Sequence, residues 1–469
     1  MLNAANTALD EKLTQAGIAT RAASPAYLED LRGRATGLGQ TVALPTTTEE
    51  VATVVSLCAE TKTGVIPFGG GTGLVLGQLA PRGPCPLILS LERMKQIRAL
   101  YQSENTIVAE AGVTLSELHK AAEEASRRFP LNYASKDSAQ IGSALSVNSG
   151  GLNVLRYGTA RDLCLGIEAV LPNGDVHHGL KRLRKDNTGY DLRNLLIGAE
   201  GTLGIITAAA LKLFPRPACR ATAFIATDTP ASALEMLSIF QDQAAEAISA
   251  FELIGGQAFA FLSETYPDLR QPFATAPPWA VLVELETGPH MDPETLLAEI
   301  YETAEARGLA TDARLAQSGQ QRDAFWTLRE TIPAANRAIG AIASHDIALP
   351  LAEISGFLDE ASQALGALFP MQINTFGHLG DGNLHYNLFP PKGKDKAEYK
   401  EKAYDLTRLV HDLTVARGGT FSAEHGVGRA KTDDLARYGD PAKLAAMRAI
   451  KDALDPMGIM NPGAVLPPR

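Results

Sequence analysis

A chain of 469 residues, 45% hydrophobic and 20% charged, is a globular protein with a full core, and its length exceeds one ordinary domain and suggests two or three. Its formal net charge of −10 argues against nucleic acid or an anionic membrane as main partner. Four cysteines, Cys58, Cys85, Cys164 and Cys219, lack CxxC spacing and offer neither a disulfide frame nor an Fe–S site. No apolar run reaches the length of a transmembrane helix, and MLNAANTALDEKL at the start is not a signal peptide, so a cytoplasmic location is expected.

Taken in order, residues 1–35 read as short helices, with Asn3 or Thr7 as candidate caps. TTTEEV at 46–51 predicts a helix start, because hydroxyl caps and first-turn acids precede an apolar face; that helix ends near residues 62–64. Next comes GGGTG at 69–73, whose consecutive amides suit a phosphate. It is out of register with GxGxxG, the Pro- and Gly-rich stretch at 74–86 forbids the helix of a Rossmann unit, and no Gly-Lys-Ser/Thr follows. A pyrophosphate held on loop amides is the functional reading that survives. Strands are predicted at 87–91, 106–110 and 169–171, the last turning at Asn173-Gly174 into a hairpin. Thr114 and Glu117 form a capping box ahead of another helix.

Small residues recur at 138–151, where Ile141, Leu145 and Val147 predict a packed backbone wall against a flat ligand, and again at 187–206. Three such tracts in one 200-residue half imply a long, flat, partly phosphorylated ligand lying on backbone. Beyond Arg216 an α+β texture begins: a helix at 231–250, a strand at 280–286, a helix at 292–307 and the segment 326–330. The run 344–350 and a histidine motif follow, then an amphipathic helix at 397–416. The tail at 454–463 is too apolar for a frayed end and is expected to dock on the first half.

The stretch FGHLGDGNLHYNL at 376–388 places His378 and His385 seven positions apart. An unbroken strand would send the rings to opposite faces, and the glycines oppose a helix. Strand, tight glycine turn, strand lets both rings converge. Glu424 and His425 lie downstream in SAEHGVG. Two imidazoles and one carboxylate form a mixed N/O set suited to zinc, manganese, iron or cobalt, leaving His425 as an acid/base.

With these residues in place the chain resembles the FAD-linked oxidoreductases of the vanillyl-alcohol oxidase fold, and within them the D-2-hydroxyglutarate and D-lactate dehydrogenase group. The motifs carrying the resemblance are PFGGGTGL, NSGGLNVLRYG, KDNTGYDLRNLLIGAEGTLGIIT, GHLGDGNLHYN, AEHGVGRAK and LDPMGIMNPG. The fold implied is α+β: a two-subdomain PCMH-type FAD-binding domain over residues 1–215, a substrate cap with an antiparallel sheet over 216–424, and a segment 425–469 returning to the FAD domain. The resemblance assigns the FAD pyrophosphate to Pro67, Gly69, Gly70, Gly71, Thr72, Gly73 and Leu74. Ser138, Gly142, Asn148, Gly150 and Gly151 would line the flavin, Gly201, Gly204 and Ile206 its adenine side, and Asn461 the ring. With no His at 60–80, FAD is expected to be non-covalent.

It likewise implies a metal on His378, His385 and Glu424, with zinc ahead of manganese and cobalt. Asn387 would contact substrate, His425 would be the base and Arg329 would clamp a substrate carboxylate. The activity implied is oxidation of a D-2-hydroxy acid to the 2-oxo acid by hydride transfer to flavin. Electrons would pass to an electron-transfer flavoprotein, a quinone or a cytochrome, and a homodimer is the family expectation. Ser344 and Pro333 depart from members acting on D-2-hydroxyglutarate, which often carry Lys and Thr there; Arg322, Arg337 or His345 could substitute for the lost ammonium. The other readings are a glycolate-oxidase-type flavoprotein subunit and a flavin oxidase of the same fold acting on another alcohol.

Overall fold

Thr47 accepts a hydrogen bond from the Glu50 N–H and starts the helix Thr48–Thr61, as its sequence predicts, in a computed structural model that describes residues 1–468. Val51, Val54, Val55 and Cys58 recur at helical spacing and are fully buried; Lys62 ends the helix in the left-handed conformation. The chain divides into two units: residues 1–151, 158–216 and 424–469 form one, and residues 152–157 and 217–423 the other.

The first unit holds two main sheets. One runs Thr20–Ala22, Thr41–Ala43, Leu87–Ser90, Val65–Phe68, the last two pairing parallel. The other is antiparallel, in the order Ile97–Tyr101, Thr106–Glu110, Ile205–Lys212, Cys164–Val170, Val176–Gly179. Its last hairpin turns at Asn173-Gly174, with Gly174 at φ +87°, and the Thr114/Glu117 capping box forms. The apolar tail docks within this unit: Ile459 and Met460 are fully buried, and Asn461 N–H donates to the Val65 carbonyl at 2.9 Å.

Three expectations change. Within the tract 138–151 a helix forms over Ile141–Val147, because Ile141, Ala144 and Leu145 share one buried face. The helix expected to run through Ala250 stops at Ala244, and Ile248–Gly255 is a strand buried along its whole length. The α-helix placed from 397 begins at Ala403, after a 3₁₀ stretch Lys396–Lys402.

The second unit is one antiparallel sheet of seven strands, in the order Asp312–Leu315, Cys219–Thr227, Trp279–Thr287, Ile248–Gly255, Gln372–His378, Asn383–Phe389, Ala343–Ala348. Side chains alternate between its faces. Ile225, Leu253, Val281, Leu384 and Tyr386 join the core shared with helices Pro230–Ala244, Pro293–Ala306 and Ile354–Leu368. On the opposite face Phe224, Ile254, Leu282, Phe376 and Phe389 pack against helices Gly256–Thr265 and Gly319–Ile339. That apolar layer covers only part of the face; the rest carries polar groups. None of the described helices is long and apolar enough to cross a membrane.

Candidate functional site

In the second unit the expected hairpin forms, with strands Gln372–His378 and Asn383–Phe389 joined through Gly382 at φ +80°. Phe376 pairs with His385 and Asn374 with Asn387, so His378, two residues from Phe376, faces the same way as His385. The two imidazoles lie 5.6 Å apart between centroids. The turn thus reverses the odd offset that would have separated them on one strand.

Neighbouring strands extend this face. Glu252 pairs in register with His378, and Asp346 with His385. Glu252 Oε1 lies 2.5 Å from His378 Nδ1, while Oε2 accepts from Arg329 Nε at 2.6 Å. Arg329 comes from helix Gly319–Ile339, is 4% exposed, and lays its guanidinium over Phe376 at 4.7 Å. Burial alone would raise the Glu252 carboxyl, but Arg329 and His378 outweigh it and hold it down at about 2. Glu252 is therefore an ionised carboxylate in a 1% exposed position, bridging a guanidinium and an imidazole. Arg329, expected to clamp a substrate carboxylate, has a protein carboxylate as its first partner.

Asn387, 5% exposed, donates to the carbonyls of His385 and Asn374. Asp346, 3% exposed, accepts from Asn383 Nδ2 at 2.9 Å, and its carbonyl receives the Ala423 N–H. Ser344, opposite Asn387 on the edge strand, and Pro333, inside the helix of Arg329, are both exposed. His378, His385 and the carboxylates Asp346 and Glu252 are side chains of metal-ligating type on this face, and Glu252 is already engaged by His378 and Arg329. The chemistry of the donors fits a divalent cation: an imidazole whose Nδ1 is bonded to a carboxylate presents its Nε2 lone pair outward.

In the first unit the three small-residue tracts meet. A Cβ on Gly70 would run into the Ser138 carbonyl, and one on Gly69 into Ser143 Oγ, so loop 69–74 lies flat on the second tract. Gly198 and Glu200 donate to the Leu145 and Ser146 carbonyls at 3.0 and 2.8 Å, and a Cβ on Gly201 would strike Pro67. Gly142 lies against Ala111 and Gly204 against the Val170 carbonyl. Asn148 caps its helix at φ +54°, and Gly151, at φ +126°, abuts Asn132. Ile206 is buried in the strand Ile205–Lys212. Asn461 Nδ2 bonds the Glu200 and Gly77 carbonyls at 2.7 and 3.1 Å. These backbone-to-backbone approaches, open only to glycine at Gly70, build a surface of amides and small side chains that fits a long flat ligand with a pyrophosphate.

Glu424 and His425 lie in this unit, 3.8 Å apart and half-buried. Their loop is tied down by Glu200, whose carboxylate accepts from the Val427 and Gly428 N–H groups at 2.8 and 2.9 Å. Glu200, Asp346 and Glu252 escape sequence reasoning. The one signal for Glu252 is a lone carboxylate in the apolar run ISAFELIG.

Residues 39–179 match the family model described as FAD binding domain, and residues 216–465 that of FAD linked oxidases, C-terminal domain. The chain is 35% identical over 433 residues to the mitochondrial D-2-hydroxyglutarate dehydrogenase of Arabidopsis thaliana, covering 92% of this chain and 76% of that protein. It is 34% identical to the D-2-hydroxyglutarate dehydrogenase of Stutzerimonas stutzeri, covering 90% of each. Among solved structures, p-cresol methylhydroxylase with substrate bound aligns at TM-score 0.77 and 18% identity over 98% of both chains. An alkyldihydroxyacetonephosphate synthase aligns at 0.72 and 17%, over 98% of this chain and 85% of that one. At such identity these two establish the fold, which is the PCMH-type FAD-binding fold.

Proposed function

This chain belongs to the family of FAD-linked oxidases, and from that premise we propose that it oxidises a D-2-hydroxy acid to the 2-oxo acid, using non-covalent FAD and a divalent metal. The observation that carries the reading is the polar face of the seven-stranded sheet. There His378 and His385 point the same way, with the first ring bonded to a buried, ionised Glu252. The similarity to D-2-hydroxyglutarate dehydrogenases supports the substrate class.

In this reading His378, His385 and Glu424 hold the metal, zinc ahead of manganese and cobalt. When bound, the metal supplies Lewis acidity toward the hydroxyl and α-carboxylate of the substrate. FAD, when bound, supplies a two-electron acceptor for the α-hydrogen. His425 accepts the hydroxyl proton, a task for which a neutral imidazole is suited near pH 7. Asn387 orients the substrate. Arg329 spends part of its five-donor fork on Glu252 and offers the remainder to a substrate carboxylate. Ser344 and Pro333 contribute no cation, which favours a monocarboxylate or apolar D-2-hydroxy acid beside D-2-hydroxyglutarate as substrate. The electrons then leave to an electron-transfer flavoprotein or a quinone.

The test is His378→Ala. Purified protein should remain yellow with a full complement of FAD, lose its bound metal and lose turnover with every D-2-hydroxy acid. Undiminished turnover in a metal-free His378→Ala protein would sink the metal mechanism.

A further inference from the structure

We infer that Glu252 is a positioning residue that fixes the tautomer of His378, and that Arg329 makes this possible by holding the second oxygen of the same carboxylate. The inference rests on the reading of His378 as a metal ligand and deepens it. Each end of the Glu252 carboxylate has one partner: Oε1 faces His378 Nδ1 at 2.5 Å, and Oε2 faces Arg329 Nε at 2.6 Å. All three side chains are buried, with relative exposures of 1%, 4% and 7% for Glu252, Arg329 and His378.

An ionised carboxylate only accepts hydrogen bonds, so the proton of a neutral His378 must sit on Nδ1 and the lone pair on Nε2. Carboxylate-bonded imidazoles serve metals in this way, because the bond fixes ring orientation and raises ligand basicity. Arg329 adds a constraint of its own, since a guanidinium only donates. Register places Glu252 beside His378 on the adjacent strand, and the helix Gly319–Ile339 brings Arg329 onto the carboxylate from above the sheet. No sequence motif links the three.

The arrangement makes an isosteric change informative. In Glu252→Gln the amide oxygen must face Arg329, which has nothing to accept with. The amide NH₂ then faces His378 and donates to Nδ1. That drives the ring proton to Nε2 and removes the lone pair a metal needs. The shape of the site is unchanged while its tautomer is reversed. In the double variant Glu252→Gln/Arg329→Met the guanidinium is gone, the amide is free to rotate, and its oxygen can again receive Nδ1–H.

The experiment measures zinc affinity by chelator competition on full-length, FAD-loaded protein, with FAD content and melting temperature as controls for folding. Glu252→Gln should bind zinc roughly 10- to 100-fold more weakly than the parent. The double variant should recover most of that loss, although it lacks Arg329. Zinc affinity in Glu252→Gln equal to the parent's would overturn the inference, and so would a double variant as weak as the single one. If Glu252→Gln does not accumulate folded, Arg329→Met and the double variant carry the test. Similar zinc affinities in those two are expected, and a tenfold loss in the double would overturn the inference. A parent protein that takes up no zinc, manganese or cobalt would instead remove the metal reading itself, and the inference with it.

Discussion

Glu252 shows what single residues contribute. Its folded carboxyl is held at about 2, against an ordinary 4.5: burial pushes it up, and Arg329 and His378 push it down further. A depressed carboxyl stabilises the fold above its unfolded value, and that contribution fades as pH falls through the folded value. The stability advantage of the parent over Glu252→Gln should therefore shrink as pH falls from about 4.5 to about 2. Denaturant unfolding at a series of pH values checks this; a gap that stays constant down to pH 3 would contradict it. His378 and His385 were legible because glycines around histidine are unusual composition. Glu252 was not, because an isolated Glu in a strand reads as a solvent-facing residue. Only pairing with a segment 126 positions away turns it inward.

Elements were legible where local chemistry decides them. The helix Thr48–Thr61 has its cap and acidic first turn, and the histidine hairpin has a glycine at the position needing positive φ. They were missed where packing overrides propensity. Gly142, Ser143 and Ser146 are poor helix formers, yet Ile141–Val147 is helical because its apolar side is buried. The strand Ile248–Gly255 continues an alanine-rich helical run and becomes a strand because it is central in a sheet. Two substitutions test elements. Gly382→Val places a β-branched residue at φ +80° against the Leu349 carbonyl, which should cost about 1–3 kcal/mol and weaken metal binding without lowering FAD content. Gly70→Ala drives a methyl into the Ser138 carbonyl and should release FAD while leaving zinc binding intact. Absorbance at 450 nm and metal analysis read the two; a Gly70→Ala protein with full FAD would show that this close approach is not needed.

At the scale of the whole chain, the resemblance in six separated motifs indicated the family, and the family models and relatives bear it out. The apolar tail anticipated the burial of Ile459 and Met460 beside Val65. The assignment of residues 152–157 to the second unit was not legible, because six residues carry too little pattern to declare a side. The proposed substrate range rests on Ser344 and Pro333, both exposed and neither a cation. The central claim is the reaction class, and the anaerobic visible spectrum of the purified, FAD-loaded protein tests it most directly. Titrated with D- and L-2-hydroxy acids in turn, the flavin band should bleach with a D-acid alone, and prior removal of metal by a chelator should prevent the bleaching. A flavin left oxidised by every D-2-hydroxy acid, or reduced equally well by the L-series, would contradict the account.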